Sequence, residues 1–507
     1  MTAMQLRSAE GGSTHSRPGL RPVFLLTALL VGLVVGSAAI GRAGMLQYLF
    51  PAAAAAVAFL IYRVRPVAYV GLAWWMWLLS PAVRRIADYQ SSWNPVNPIS
   101  VTPLVVGLVL LPSMIRHLPK FGQRRLLPFL LIAIAVFYGY AVGIFRAGLP
   151  SATYAMLTWL VPLMLGAHLV IHWQLYREHR DVIGKTYIWG LIFTGAYGVM
   201  QFIDPLPWDR FWMKNVEMVS IGAPEPFKVR VFSTVNAPGP YGYVAAGHLL
   251  VLLGYRSKWR VLAFAIGTAG LLLSLVRSAW IGLVCGVMTY AAYTWHRPVR
   301  GLARGFGTLV AVLLVAGILA PLLPMDPIRD RLSMRFATFS DPSSDHSLQA
   351  RTQFAIEYAR QIQGDFLGAG LGSTKRIVEE DQSRLTIDNG VLETFFTLGW
   401  PGGVLFFTGL ILFILPLMRS RDSEKPDAFM AAARAGGIGM LVQSAFGNVF
   451  VNNTGAALYT AFGILAAARL WTESEAPDVA AEPVATTQPG WAQSAGTLQV
   501  TQRGAAG

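Results

Sequence analysis

A single cysteine in 507 residues removes two classes of explanation at once. Cys285 stands inside an apolar run, so the chain has neither a disulfide framework nor a cysteine-based metal site. Charge is scarce too: Asp, Glu, Lys and Arg make up 13% of the residues, against about 25% in a soluble domain. The Gly-rich stretch GDFLGAGLGS has no Lys-Ser/Thr in P-loop register and no strand before it, which argues against a nucleotide-binding loop. No internal repeat is visible, which disfavours the inverted-repeat transporter folds. The acidic triplet Glu379-Glu380-Asp381 lacks a histidine at ligand spacing and reads as a solvated loop. His168 and His172, spaced i,i+4, lack a third metal ligand and read as caps or headgroup-facing residues at a helix end.

What is abundant is hydrophobic sequence. Apolar residues make up 54% of the chain, mean hydropathy is +0.48, and the apolar runs are long enough for membrane helices. The expected fold is an all-α polytopic membrane protein with about 14 spans, at 23–40, 45–62, 67–83, 99–115, 127–145, 152–172, 183–203, 240–255, 261–276, 279–294, 305–323, 390–418, 428–447 and 452–470. The first run follows a basic leader like a signal peptide, but the leader is long and many spans follow, so an uncleaved helix is expected.

The net charge of +15 follows from basic loops rather than from nucleic-acid binding. With the N-terminus in the cytoplasm, the cytoplasmic connections hold clusters such as Arg116/Lys120/Arg124/Arg125 and Arg297/Arg300/Arg304. The short connections of the opposite side hold only Arg42, Arg84, Arg85, Arg146 and Arg277. The positive-inside rule thus selects N-in, C-in. This divides the chain into a cytoplasmic leader (1–22), N-terminal membrane helices (23–203), a periplasmic loop (204–239) and membrane helices with an Arg277 hairpin (240–323). A large helical periplasmic loop (324–389), C-terminal membrane helices (390–470) and a disordered cytoplasmic tail (471–507) follow. In the large loop, SLQARTQFAIEYARQIQG suggests an amphipathic helix lying on the membrane surface or over a cavity, with Leu348, Phe354, Ile356 and Ala359 as its apolar residues. Trp93, Trp208 and Trp212 read mainly as interfacial belt residues.

Charges inside or at the lip of apolar spans are costly and therefore informative. Arg277 is the only charge between Val261 and Thr294, a run that as one helix would measure about 51 Å. That exceeds a hydrocarbon core of about 30 Å, so a hairpin with Arg277 at its outer apex is expected. Lys228 and Arg230 precede the turn residues Asn236-Ala237-Pro238-Gly239-Pro240, on a side where positive residues run against the usual bias. In TIDNGVLETFFTLGWPGG, Asp388 suits a helix N-cap, and Glu393 requires a partner or a polar cavity. This apolar run is too long for one straight span, and Trp400-Pro401-Gly402-Gly403 supplies a kink point. Arg230, Arg277, Arg351 and Asp388 all fall on the outer face. Guanidinium groups and a carboxylate at a lipid interface suit a diphosphate-linked lipid substrate.

Three blocks at these residues resemble the O-antigen ligase and polysaccharide polymerase superfamily. RVFSTVNAPGPYG resembles its first arginine block and SLVRSAWIGLVCG its Ser-Arg-x-Ala-Trp hairpin. RTQFAIEYARQIQGDFLGAGLGS with IDNGVLETFFTLGWPGG resembles its external loop and the start of the next span. The resemblance, over about residues 180–415, implies a bacterial inner-membrane glycosyltransferase with its site facing the periplasm, inverting and without metal or other cofactor. Its substrate would be an undecaprenyl-diphosphate-linked oligosaccharide and its second partner an acceptor glycan or glycolipid, with membrane lipid around it and other polysaccharide assembly proteins beside it. Carried over by position, Arg230 and Arg277 bind the diphosphate and Asp388 takes the place where ligases typically have a histidine base. Arg351, Asn389 and Lys228 are further substrate-binding candidates. The Asp-Asn pair looks more like the exopolysaccharide polymerases, so polymerisation of lipid-linked repeats is the expected reaction and ligation the alternative. A transporter of the same lipid is the rival from another class.

Overall fold

The computed structural model describes residues 21–216, 218–294, 356–373, 389–419 and 427–475. Each expected span except 305–323, which lies outside the described residues, coincides with helix. Seven described helices are long and apolar enough to cross a membrane. They are α1 (Arg21–Ala39), α2 (Ala43–Val64), α3 (Pro66–Gln90), α4 (Pro98–Lys120, broken by 3-10 turns), α5 (Leu127–Ala147), α6 (Leu149–Ile171) and α13 (Gly390–Arg419). The others are α7 (Tyr176–Ile203), the short α8 (Pro207–Asn215), α9 (Pro238–Leu252), α10 (Arg260–Leu273), α11 (Arg277–Thr294), α12 (356–364), α14 (Ala428–Gln443) and α15 (Asn452–Glu475). The chain is an all-α, multi-pass membrane protein.

The bundle is organised around α9. Every residue from Tyr241 to Leu252 is buried, because α7, α10, α11, α14 and α15 all pack against it. A helix enclosed on all sides needs no amphipathic stripe. Small residues set the closest crossings, as expected where lipid removes the hydrophobic drive between helices. A Cβ at Gly463 of α15 would lie 2.8 Å from the Gly166 carbonyl of α6, and one at Gly439 of α14 would lie 2.8 Å from the Gly282 carbonyl of α11.

Three expectations are corrected here. The 204–239 segment holds α8, a 3-10 turn at Val219–Ile221 and a bridge between Gly222 and Val229. Trp212, Met213, Ile221, Val229 and Phe232 form its own core, against which Trp93 packs. Trp212 is thus a packing residue, its ring 5.2 Å from that of Trp93, and Trp208 donates from Nε1 to the Tyr197 hydroxyl at 2.8 Å. In the surface helix, α12 buries Tyr358 and Ile362 against Phe396, whereas Ile356 is exposed. The i,i+4 pair faces the bundle; Leu348 and Phe354 lie outside the described residues. His168 is buried and faces other rings instead of headgroups, 4.5 Å from His172 and 5.8 Å from His179. Among the described residues no group of His, Cys, Asp or Glu is arranged to hold a metal ion.

Candidate active site

The run from Val261 to Thr294 breaks where Arg277 required it to. Ser274, Leu275 and Val276 join α10 to α11, with Leu275 in the left-handed region at φ 55°. A leucine pays a steric penalty there, and local bonds offset it: Leu275 N–H donates to Leu272 O at 3.0 Å and Ser274 Oγ to Leu271 O at 2.6 Å. The two helices do not close on each other as a tight hairpin. Instead α10 packs chiefly on α7 and α11 on α14, with α9 between them.

Arg230 is clamped onto this turn. Its guanidinium donates to Ser274 O at 3.4 Å, Leu275 O at 3.3 Å and Ser220 O at 3.0 Å. Val231 N–H adds a bond to Leu273 O at 3.1 Å. Carbonyls at a helix C-terminus carry partial negative charge, which a guanidinium complements. Residues more than forty positions apart thereby meet, and Arg277 begins α11 directly beyond the clamp. Lys228 is exposed and pairs with Glu225 at 2.7 Å, holding that carboxyl below its usual range.

The start of α13 reaches the same end of the bundle through α9 and the connection between α14 and α15. The Tyr243 hydroxyl of α9 lies 3.0 Å from Ser278 Oγ, next to Arg277, and donates to Phe446 O at 3.1 Å. Gly390 N–H donates to Ser444 O at 2.7 Å. The capping oxygen of α13 belongs to Asn389: its Oδ1 accepts from Val391 N–H and Leu392 N–H, both at 3.0 Å. The cap expected of Asp388 is therefore made one residue later. Asp388 and Arg351 lie outside the described residues. Glu393 is half-buried in the first turn, its N–H bonded to Asn389 O. The N-termini of α9, α11, α13 and α15 thus share one end of the bundle, the end that also carries the Arg230 clamp and Arg277.

A second, dry layer holds the Arg230 segment from behind. Arg85, expected in an exposed connection, is fully buried on α3. Its Nη1 is 3.0 Å from Asp209 Oδ1 and its Nη2 donates to Ser233 O at 2.6 Å. Asp209 also accepts from Tyr197 OH at 2.9 Å and Gln201 Nε2 at 3.0 Å. Gln201 Oε1 in turn accepts from Phe232 N–H and Ser233 N–H, fixing Ser233 at φ 53°. Arg84 is likewise enclosed, bonded to Asp88 at 3.3 Å and to Asn94 O at 2.8 Å, beneath Trp93 and Trp212.

The break in α13 falls at Gly399 (φ 65°, ψ −174°), just before the expected Trp400-Pro401. The Gly-rich loop repairs it. Thr397 O would normally accept from residue 401, but proline has no N–H, and Gly370 N–H donates instead at 2.9 Å. Phe396 O accepts from Ala369 N–H at 2.8 Å, while Trp400 N–H turns to Phe366 O at 3.0 Å and Leu371 N–H donates to Gly139 O of α5 at 2.9 Å. These N–H groups hold helices and are spent for any phosphate. Asp365 and Arg146 close the loop as an ion pair.

Residues 262–407 match the family model described as O-antigen ligase. The chain carries an O-antigen ligase domain. No curated protein matches the chain. The ligase domain holds the Arg277 turn, the Gly-rich loop, and α13 through its break at Gly399. Arg230 lies outside it, yet bonds to two carbonyls within it. Tyr243, Ser278 and the 444–451 connection join the parts of the site and were missed in the sequence; the Gly-Asn and Asn-Asn pairs of SAFGNVFVNN were the turn signal available.

Proposed function

We propose that the protein is a membrane glycosyltransferase that moves a glycan from an undecaprenyl-diphosphate carrier to an acceptor, ligation onto a lipid acceptor being the primary reading. The ligase-domain match supports it, and the observation that carries it is the convergence of Arg230, Arg277 and the start of α13 among four helix N-termini. Arg277 and the dipole ends neutralise the diphosphate as the glycosidic bond breaks, the leaving group departing as undecaprenyl diphosphate. Arg230 braces the turn and adds a second cation. Asp388, the residue before the capping Asn389, accepts the proton of the attacking hydroxyl as that hydroxyl acidifies late in the reaction. This end of the bundle faces the periplasm, where the arginines oppose the charge bias of the loops.

Polymerisation of lipid-linked repeats is the second reading, favoured by Asp388-Asn389 where ligases typically have a histidine. Products separate the two in a host strain carrying Arg277→Ala. Unattached long chains identify a ligase, and accumulated single lipid-linked repeats identify a polymerase. Unchanged output of finished glycan would refute the role given to Arg277.

A further inference from the structure

The connection between α14 and α15 carries two amides whose orientations are fixed. Asn448 Oδ1 accepts from Phe450 N–H at 2.9 Å, and Asn453 Oδ1 accepts from Thr454 N–H at 3.0 Å. With each oxygen held by a backbone donor, the other terminus of each amide must be the NH2 group. Among the described residues neither buried Nδ2 atom has a hydrogen-bond partner, and Asn453 is 5% exposed. A buried donor left unsatisfied is a standing cost that something in the working protein must offset.

The place of these donors says what. Thr454 Oγ donates to Asn448 O at 3.3 Å, closing the connection on itself. A Cβ at Gly390 would lie 3.0 Å from Asn448 Cα, so Asn448 packs directly against the first turn of α13. The same connection receives Tyr243, which touches Ser278 beside Arg277. Asn448 therefore lies against the first turn of α13, and its connection is tied through Tyr243 to Ser278, the neighbour of Arg277. Uncharged amide donors match the hydroxyl and ring oxygens of a saccharide, whereas the diphosphate is already served by guanidinium and helix N-termini.

We propose that Asn448 and Asn453 form a saccharide subsite beside the start of α13, donating from Nδ2 to sugar oxygens and setting the glycan against the reacting centre. This rests on the glycosyltransferase reading above. The test uses the full chain in lipid nanodiscs with Asn448→Ser and Asn453→Ser, which keep a neutral oxygen able to cap. Two probes are titrated: undecaprenyl diphosphate alone, and the host's repeat oligosaccharide released from its carrier. Each variant is expected to weaken oligosaccharide binding about tenfold and to leave undecaprenyl diphosphate binding unchanged. Equal loss for both probes, or no loss for either, overturns the subsite. In transfer assays a raised KM for the acceptor alone marks the acceptor side, and a raised KM for the lipid-linked glycan alone marks the donor sugar. Arg277→Ala, run in parallel, tests the parent reading separately: if undecaprenyl diphosphate binds it normally, the diphosphate assignment fails whatever the asparagine variants show.

Discussion

Two arginine centres lie within one bundle and are built on opposite principles. Arg85 and Asp209 are both fully buried and 3.0 Å apart, and hydrogen bonds tie them to Ser233, Tyr197 and Gln201. Around the second centre Arg230 and Arg277 are half-buried, Arg230 resting on carbonyls at the C-terminal end of α10 and Arg277 opening α11. The first centre balances its charges internally and gives rigidity. The second brings two guanidinium groups, which suit an anionic ligand, to one turn between helices.

The sharpest way to break this contrast is at Arg85. Arg85→Ala leaves Asp209 buried without its counter-charge, and should destabilise the fold by about 3–5 kcal/mol. Thermal unfolding of the detergent-purified protein measures this, and the paired change Arg85→Met with Asp209→Leu should recover most of the loss. Arg277→Ala should do the reverse, lowering glycan transfer by roughly 10²–10³-fold while the melting temperature stays near that of the parent. A collapse in melting temperature there would move Arg277 into the structural class.

Smaller effects sharpen the boundary. Asn389→Ala removes the cap of α13 and should cost about 0.5–2 kcal/mol, read as a lowered melting temperature; full stability would show that capping has passed to another residue. Lys228→Ala breaks an exposed, solvent-screened pair and should leave the melting temperature unchanged. A strong loss of transfer in that variant would instead place Lys228 on the ligand.

Much of this was legible in the chain. The length of the apolar run around Arg277 required a turn, and the length of the run after Asn389, with its proline, required a break. Both are local statements about rise per residue and missing donors. The packing of α10 and α11 onto different partners was not legible, because nothing within Val261–Thr294 records which helices lie beside it. Nor was the burial of Arg85: its carboxylate is on α8 and its carbonyl partner at Ser233, 148 positions away. The histidines misled for the same reason, since spacing places His168 and His172 on one face without saying what that face meets.

The sequence alone determined the membrane class, the places where helices must stop or bend, and the residue types able to meet a lipid diphosphate. These follow from hydropathy, helix rise and side-chain chemistry, which act over a few residues. Tertiary structure decided that Arg230 braces the turn before Arg277, that Asn389 caps α13, and that the Gly-rich loop spends its N–H groups on a broken helix. Each of those depends on which polar group finds which partner once water is excluded, and that choice is made between segments far apart in the chain.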